Sequence, residues 1–539
     1  MEYDYIIAGG GSAGSVLAAR LSEDPTVTVC LLEAGGDGKS FLINTPAMVA
    51  AMVSGRPKLH NWAFRTTPQT HLNNRRCYQP RGKALGGSSA INAMLYTRGH
   101  PSDYDHWADL GANGWDWHAV LPYFLKSQGN SRGTSALHNS TGPLQVTDQI
   151  SPFDVSRAFI HAMESVQVPE TTDFNGDTQF GAGLYQVTQF HQGPRKGRRC
   201  SAAAAYLHPV LARPNLTVLT HARAERILLD GNRAKGLIAK HKSRTLTLTA
   251  RREVILSSGA FGSPQLLLLS GIGPEDELRA HGIAVQHALP GVGQNLQDHL
   301  DHTLHWRSLR PDVVGFNPAG LLRLIRGIGP FRRNGSGVLT TVGAEGGAFF
   351  FSRPGLQVPD LQAHFCVAIV DDHMRRIHLA DGFTAHVCVL RPQSRGTVGL
   401  HDANPASPPR IDPNFLSDPR DMEVLKAGTR ILEQAMLSEP MAPWRGERLY
   451  SHDGTDTLLE ADIRARADTI YHPVGTCRMG RDDMAVVDPD LRVHGLEGLR
   501  VVDASVMPTL IGGNTNAPTI MIAERAADLI RAARQPTSA

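Results

Sequence analysis

Gly9, Gly11 and Gly14 stand in the spacing GxGxxG, directly after an apolar run at residues 5–8 and at the head of a helix-like stretch at residues 13–21. That pattern suits a dinucleotide. The first glycine permits a tight turn, the second lets backbone approach a pyrophosphate, and the third lets the helix pack on the strand. Ser12 and Ala13 begin the helix, where unpaired N–H groups and the positive end of the dipole attract phosphate. A second apolar run, residues 27–32, ends at Glu33, 19 residues after Gly14 and followed by Ala34. A carboxylate there accepts hydrogen bonds from a ribose diol and would repel a 2′-phosphate, which argues against NADP. FAD and NAD both remain open on these residues.

Other groupings invite a chemical reading and do not support one. Asp371-Asp372-His373 and the pairs Asp298-His299 and Asp301-His302 lack the helical or hairpin spacing of metal ligands, so no metal is expected. The serines within residues 35–40 and 86–89 have no nucleophile-elbow context, which disfavours hydrolase chemistry. The six cysteines are scattered without a CxxC or a Cys/His spacing, and are expected as free thiols in a reducing compartment.

These residues need a scaffold, and 539 residues exceed what one core usually supports, so two lobes are expected. Apolar residues at 41% and charged residues at 19% fit a folded soluble protein. A net charge of +3 gives no footprint for nucleic acid. No window supplies the roughly 18 apolar residues of a spanning helix, and the N-terminus has no signal-peptide pattern, so a cytoplasmic protein is expected. Residues 317–334 combine Leu and Ile with Arg323, Arg326, Arg332 and Arg333 and no acid, a composition suited to peripheral contact with an anionic membrane. An internally packed lobe surface would explain the same segment.

The chain opens strand, turn, helix, strand, and such patterns return at residues 254–273 and from residue 499 onward. Residues 305–465 mix Pro/Gly loops with alternating stretches such as 384–390. The expected fold is α/β. A Rossmann-like lobe is assembled from residues 1–150, 215–305 and 466–539, and a discontinuous substrate lobe with an antiparallel sheet from 151–214 and 306–465.

Five further segments sharpen this. GKALGGSSAIN (82–92), GAFGSP through SGIG (259–273), YHPVGTCRMG (471–480), VDAS (502–505) and GNTN (513–516) fall in the order of the signatures of the glucose–methanol–choline oxidoreductases, which the sequence resembles nearly end to end. The resemblance implies FAD in a lobe of glutathione-reductase type. It implies that His472 takes the hydroxyl proton of a primary alcohol while hydride leaves for flavin N5. An imidazole of ordinary pKa, about 6.5, is largely neutral at working pH and fits that task. Asn516 matches the position of a second histidine or asparagine that hydrogen-bonds the alkoxide. Gly86, Gly87 and Ser88 are expected at the pyrophosphate, Asn92 and Ala93 near the flavin, Asp503 and Ala504 near the ribityl and pyrophosphate, and the Ala224 backbone at adenine. Ile91 stands where some relatives carry a histidine bonded covalently to flavin, which implies dissociable FAD.

The resemblance leans toward bacterial alcohol dehydrogenases and choline dehydrogenases, with electrons passing to a quinone or another non-NAD acceptor. An oxidase producing peroxide, or a choline dehydrogenase, is the alternative. A choline site needs aromatic faces or a carboxylate for the ammonium, and none can be assigned from the sequence, so aliphatic or aryl primary alcohols come first.

Overall fold

The computed structural model describes residues 1–450 and 454–533. Residues 5–8 and 29–33 are apolar without alternation, the pattern of strands covered on both faces. They form the parallel strands Glu2–Ala8 and Val29–Glu33. Leu216–Thr220 extends the sheet beyond Val29–Glu33, and Arg244–Leu256 flanks Glu2–Ala8 on the other side. The C-terminal end of Arg244–Leu256 also pairs in parallel with Leu499–Val501, while its N-terminal part pairs antiparallel with Arg233–His241 and, beyond it, Ala222–Asp230. Helix Ser12–Leu21 connects the first two strands, so the glycine turn lies at the carboxyl end of the first, where α/β sheets bind ligands.

The second sheet is antiparallel, in the order Arg445–Leu449, Leu300–Ser308, Gly382–Val389, Leu361–Cys366, Ala344–Phe350, Gly181–Leu184. Its two central strands show how one sequence serves two faces. Leu361, Ala363 and Phe365, with Phe383, Ala385 and Val387, pack in a core with Phe159, Leu425 and Leu432 from helices Asp154–Glu164 and Pro419–Leu437. The intervening Gln362, His364 and Cys366 pair across the ladder with Cys388, His386 and Thr384. Strand residues two apart share a face, so a buried polar surface is presented opposite the helices.

The two sheets have separate apolar cores. Residues 203–207 pack in the first core with the opening helix, although they follow the segment that supplies Gly181–Leu184 to the second sheet. The last helix, Asn516–Ala532, lies along Ser12–Leu21. Arg20 clamps it through two bonds, Nε to Glu524 Oε2 at 2.9 Å and Nη2 to Oε1 at 2.7 Å, and Tyr206 donates to Oε1 at 2.8 Å. A forked guanidinium–carboxylate pair fixes orientation as well as distance. It brings the starts of the first and last helices together, where Ser12 Oγ donates to Asn516 Oδ1 at 2.8 Å.

Residues 317–334 become two short helices, Pro318–Arg326 and Ile328–Asn334. Arg323 is tied to Asp381 at 2.5 Å, whereas Leu321, Leu322, Ile325 and Ile328 face outward and are exposed. No helix among the described residues is long and apolar enough to cross a membrane.

Candidate active site

A single cleft of about 1370 Å³ is lined by both sheets and by the loops between them. A pocket for one small molecule holds roughly 300–1,000 Å³, so this one has room for a dinucleotide and a second ligand. Of the residues expected at the cofactor, Gly9, Gly11, Ser12, Ala13, Glu33, Ala34, Gly87, Ser88, Asn92, Ala93, Ala224, Asp503, Ala504 and Asn516 line it. Gly14 and Gly86 act from behind. A Cβ on Gly14 would sit 1.9 Å from the Gly9 carbonyl oxygen, and one on Gly9 would sit 2.4 Å from that of Ser257. Gly86, at φ +94°, donates its N–H to Gly10 O at 2.8 Å and so joins the second glycine loop to the first. At the junction a Cβ on Gly87 would lie 2.7 Å from Gly11 Cα.

Three helices begin on this cleft, at Ser12, Gly259 and Asn516, and none has an acidic residue in its first turn. Converging N–H groups and positive dipole ends suit a diphosphate. Asp503 anchors the middle helix, accepting from Gly259 N at 2.8 Å and Ser263 Oγ at 2.6 Å. Burial pushes its carboxyl above the usual range. Glu33 accepts from Gly10 N at 3.1 Å and Gly35 N at 2.6 Å, one bond per oxygen, so each oxygen keeps a lone pair for a diol. Asn92 Oδ1 is held by Arg199 Nη1 at 2.8 Å, and burial lowers that guanidinium to about 9. Ile91 is buried and lines the cleft.

His472 sits on the same cleft, 8% exposed. Asp298, beneath it, accepts from the His472 backbone N–H at 2.9 Å and from Thr469 Oγ1 at 2.5 Å. The ring is fixed from both ends. His299 Nε2 lies 3.0 Å from the Leu390 carbonyl, which can only accept, so that nitrogen carries the hydrogen. Burial holds His299 neutral, with its pKa lowered to about 3, which leaves Nδ1 as an acceptor. His472 Nδ1, 3.0 Å away, must therefore be the donor, and its Nε2 bears the lone pair. Asn514 Nδ2 donates toward that lone pair at 3.2 Å. The amide cannot be flipped without loss, because its Oδ1 accepts from Thr97 Oγ1 at 3.2 Å and Gln362 Nε2 at 3.1 Å. Burial, then His299, His364 and Arg81, push the His472 pKa well below the ordinary imidazole value. Its neutral form is the resting form.

The amide beside the base is thus Asn514, while Asn516 is bonded two residues on to Ser12 of the glycine turn. Both side chains reach the cleft. Sequence reasoning passed over Asn514, His299, Asp298, Arg199 and Gln362. The GNTN repeat of asparagine was the only sign for the first, and Asp298 and His299 were weighed only as metal ligands. The other histidine–aspartate groupings are bonded within the protein: His373 lies 2.7 Å from the Tyr471 hydroxyl, and Asp371 accepts from His378 at 2.7 Å and Tyr450 at 2.6 Å.

Comparison with known proteins agrees with this architecture. Residues 3–301 match one family model and residues 392–523 another, both described as GMC oxidoreductase. An alcohol dehydrogenase (acceptor) of Pseudomonas putida is 48% identical over 98% of this chain and 95% of its own length. The mitochondrial choline dehydrogenase of Homo sapiens is 43% identical over 98% of this chain and 90% of its own. Among solved structures, pyridoxine 4-oxidase from Mesorbium loti has a TM-score of 0.88 at 32% identity, covering 98% of this chain and 99% of that one. The chain belongs to the GMC oxidoreductase family.

Proposed function

We propose that the protein is an FAD-dependent dehydrogenase that oxidises a primary alcohol to the aldehyde and passes the electrons to a quinone or another non-NAD acceptor. The observation that carries this reading is the tautomer of His472, which leaves the lone pair on Nε2 of a ring lining the same cleft as the dinucleotide cradle. Bound FAD supplies a hydride acceptor. The cradle fits it: glycine turns that admit no Cβ, three helix starts and a carboxylate with free lone pairs. With Ile91 rather than a histidine in the cleft, the flavin is held without a covalent bond. We assign residues 1–150, 215–305 and 466–539 to the FAD lobe and 151–214 and 306–465 to the substrate lobe, with two departures: residues 203–207 pack in the first core, and strand Leu300–Ser308 belongs to the second sheet.

The protein's own residues handle the proton and the orientation. His472 Nε2 takes the hydroxyl proton, and His299 keeps Nδ1 as the protonated nitrogen throughout. Asn514 donates to the oxygen or to the ring, according to whether substrate is present. Asn516, its carbonyl held by Ser12, turns its amide N–H groups to the alkoxide oxygen. Asp298 fixes the backbone beneath the base. Adding a primary alcohol anaerobically to the FAD-loaded protein should bleach its visible absorption, with re-oxidation by quinone faster than by oxygen. Absence of bleaching by any alcohol would remove the assignment, and fast stoichiometric peroxide would make the protein an oxidase.

The outward apolar face at Leu321, Leu322, Ile325 and Ile328, flanked by Arg326, Arg332 and Arg333, supports peripheral contact with an anionic bilayer, where a membrane quinone would be at hand. Phe316 and Leu324 of the same region line the cleft.

A further inference from the structure

The polar face of the second sheet gives His364, Cys366 and His386 to the cleft wall. The two histidines are direct cross-strand partners, so their rings leave the sheet side by side. His386 Nδ1 lies 2.7 Å from Asp301 Oδ2, and both residues are buried. Burial pulls the imidazole down, and the Asp301 carboxylate outweighs it, holding His386 at about 10. While the pair holds two protons, Nε2 of His386 carries a hydrogen whether the shared one rests on the ring or on the carboxyl group. That nitrogen is buried with no oxygen or nitrogen partner and only the Cys366 thiol beside it. Neither nitrogen of His364 has a partner either.

The wall around these rings offers no carboxylate to an ammonium. Among the described residues, the carboxylates lining the cleft are Glu33 and Asp503 of the dinucleotide cradle. Of the aromatic rings lining the cleft, Trp62 is already covered by a cation, Lys83 standing 4.2 Å from its ring centre.

We propose that His386, backed by Asp301 and assisted by His364, is a subsite for an acceptor oxygen, carboxylate for preference, on the substrate alcohol. The substrate class is then a hydroxy acid or its ester, not an ammonium alcohol and not a plain alkanol. This rests on the reading of His472 as the base for a primary alcohol. An unpartnered buried N–H is satisfied by an acceptor oxygen and not by a methyl group.

The test compares ω-hydroxy acids with n-alkanols of matched length and with choline, using FAD-loaded protein and anaerobic flavin reduction. The hydroxy acids should exceed the alkanols in kcat/KM by roughly 10- to 100-fold, the scale of one hydrogen bond to a charged group, and choline should fall below both. His386→Leu should level the series, and His386→Gln, which keeps a donor, should retain part of the preference. In parallel, butanoate and tetramethylammonium are titrated against the visible spectrum of the bound flavin, which needs no turnover. Butanoate should perturb it and lose affinity in His386→Leu. Alkanols or choline matching the hydroxy acids in the unmodified protein would overturn the subsite while leaving the alcohol reading intact. If no alcohol bleached the flavin but butanoate still bound through His386, the subsite would stand and the alcohol reading would fall.

Discussion

The cradle and the base pocket face one cleft and are built by different rules. The cradle is main chain: Gly9, Gly14 and Gly87 work because they carry nothing, Gly14 against Gly9 five residues away, Gly9 against Ser257 and Gly87 against Gly11 of adjoining loops. The base pocket is side chain: Thr97, His299, Gln362, His472 and Asn514 come from five separate stretches of the chain, with a carbonyl from Leu390. The first is vulnerable to a single added carbon. The second is vulnerable to a change in which nitrogen holds a hydrogen.

The largest effect should come from the cradle. Gly14→Val puts carbon against the Gly9 carbonyl oxygen, and backbone cannot yield as a flexible side chain can. The purified variant should be colourless, with flavin content near zero against a fully loaded parent, as read from its visible spectrum. A yellow, fully loaded Gly14→Val protein would break the claim that bare backbone makes this half of the site.

Next comes the relay behind the base. His299→Ala removes the acceptor for His472 Nδ1 and frees the ring to carry its hydrogen on Nε2. Flavin reduction should slow by roughly 10-fold, the worth of about 1.4 kcal/mol in a lost hydrogen bond. FAD content should not change, and His299→Asn, which can still accept, should recover part of the rate. Equal losses in both variants, or loss of FAD, would reduce His299 to a packing residue.

How legible each half was follows from the same contrast. Strand, turn, helix and second strand could be read at the N-terminus because residues 5–8 and 29–33 are buried on both faces and a glycine follows each within two residues. Expected cradle positions met on the cleft because the spacing of GxGxxG encodes local backbone geometry. Asn514 was passed over because Asn516 fits the same motif two residues on, and the docking of the last helix, held in part by the clamp of Arg20 on Glu524, is a tertiary feature. The role of His299 depends on a carbonyl at Leu390 and on the docking of two distant loops, neither of which leaves a periodic signal. The expectation of an ordinary imidazole pKa for His472 shifts for the same reason: burial and neighbouring histidines are tertiary facts.

That shift gives a pH test with a definite sign. A base lowered below its usual pKa is active above that lowered value, so flavin reduction should already be on its plateau near neutral pH, with the ascending limb below the ordinary imidazole range. Stability should follow the same direction. His299, His305 and His364, each lowered to about 3, take up protons in the unfolded chain before the folded one. From the unfolded value near 6.5 downward, each should cost about 1.4 kcal/mol per pH unit, as measured by denaturant unfolding across pH. A rate limb centred above pH 7 would contradict the burial of the base.

The smallest effect is expected at the outer surface. Replacing Arg326, Arg332 and Arg333 with Gln should weaken recovery on anionic liposomes by about 1 kcal/mol per arginine and leave flavin reduction in solution unaltered. Unchanged recovery would remove residues 317–334 from any account of membrane contact.

The central claim is that His472 Nε2 is the proton acceptor, and the direct measurement is anaerobic flavin reduction in His472→Ala beside the unmodified protein. With FAD still bound, the variant should be slower by about 10²- to 10⁴-fold, the range for a lost general base, and its ascending pH limb should vanish. A His472→Ala protein that holds FAD and reduces it at the parent rate across the pH range would contradict the account.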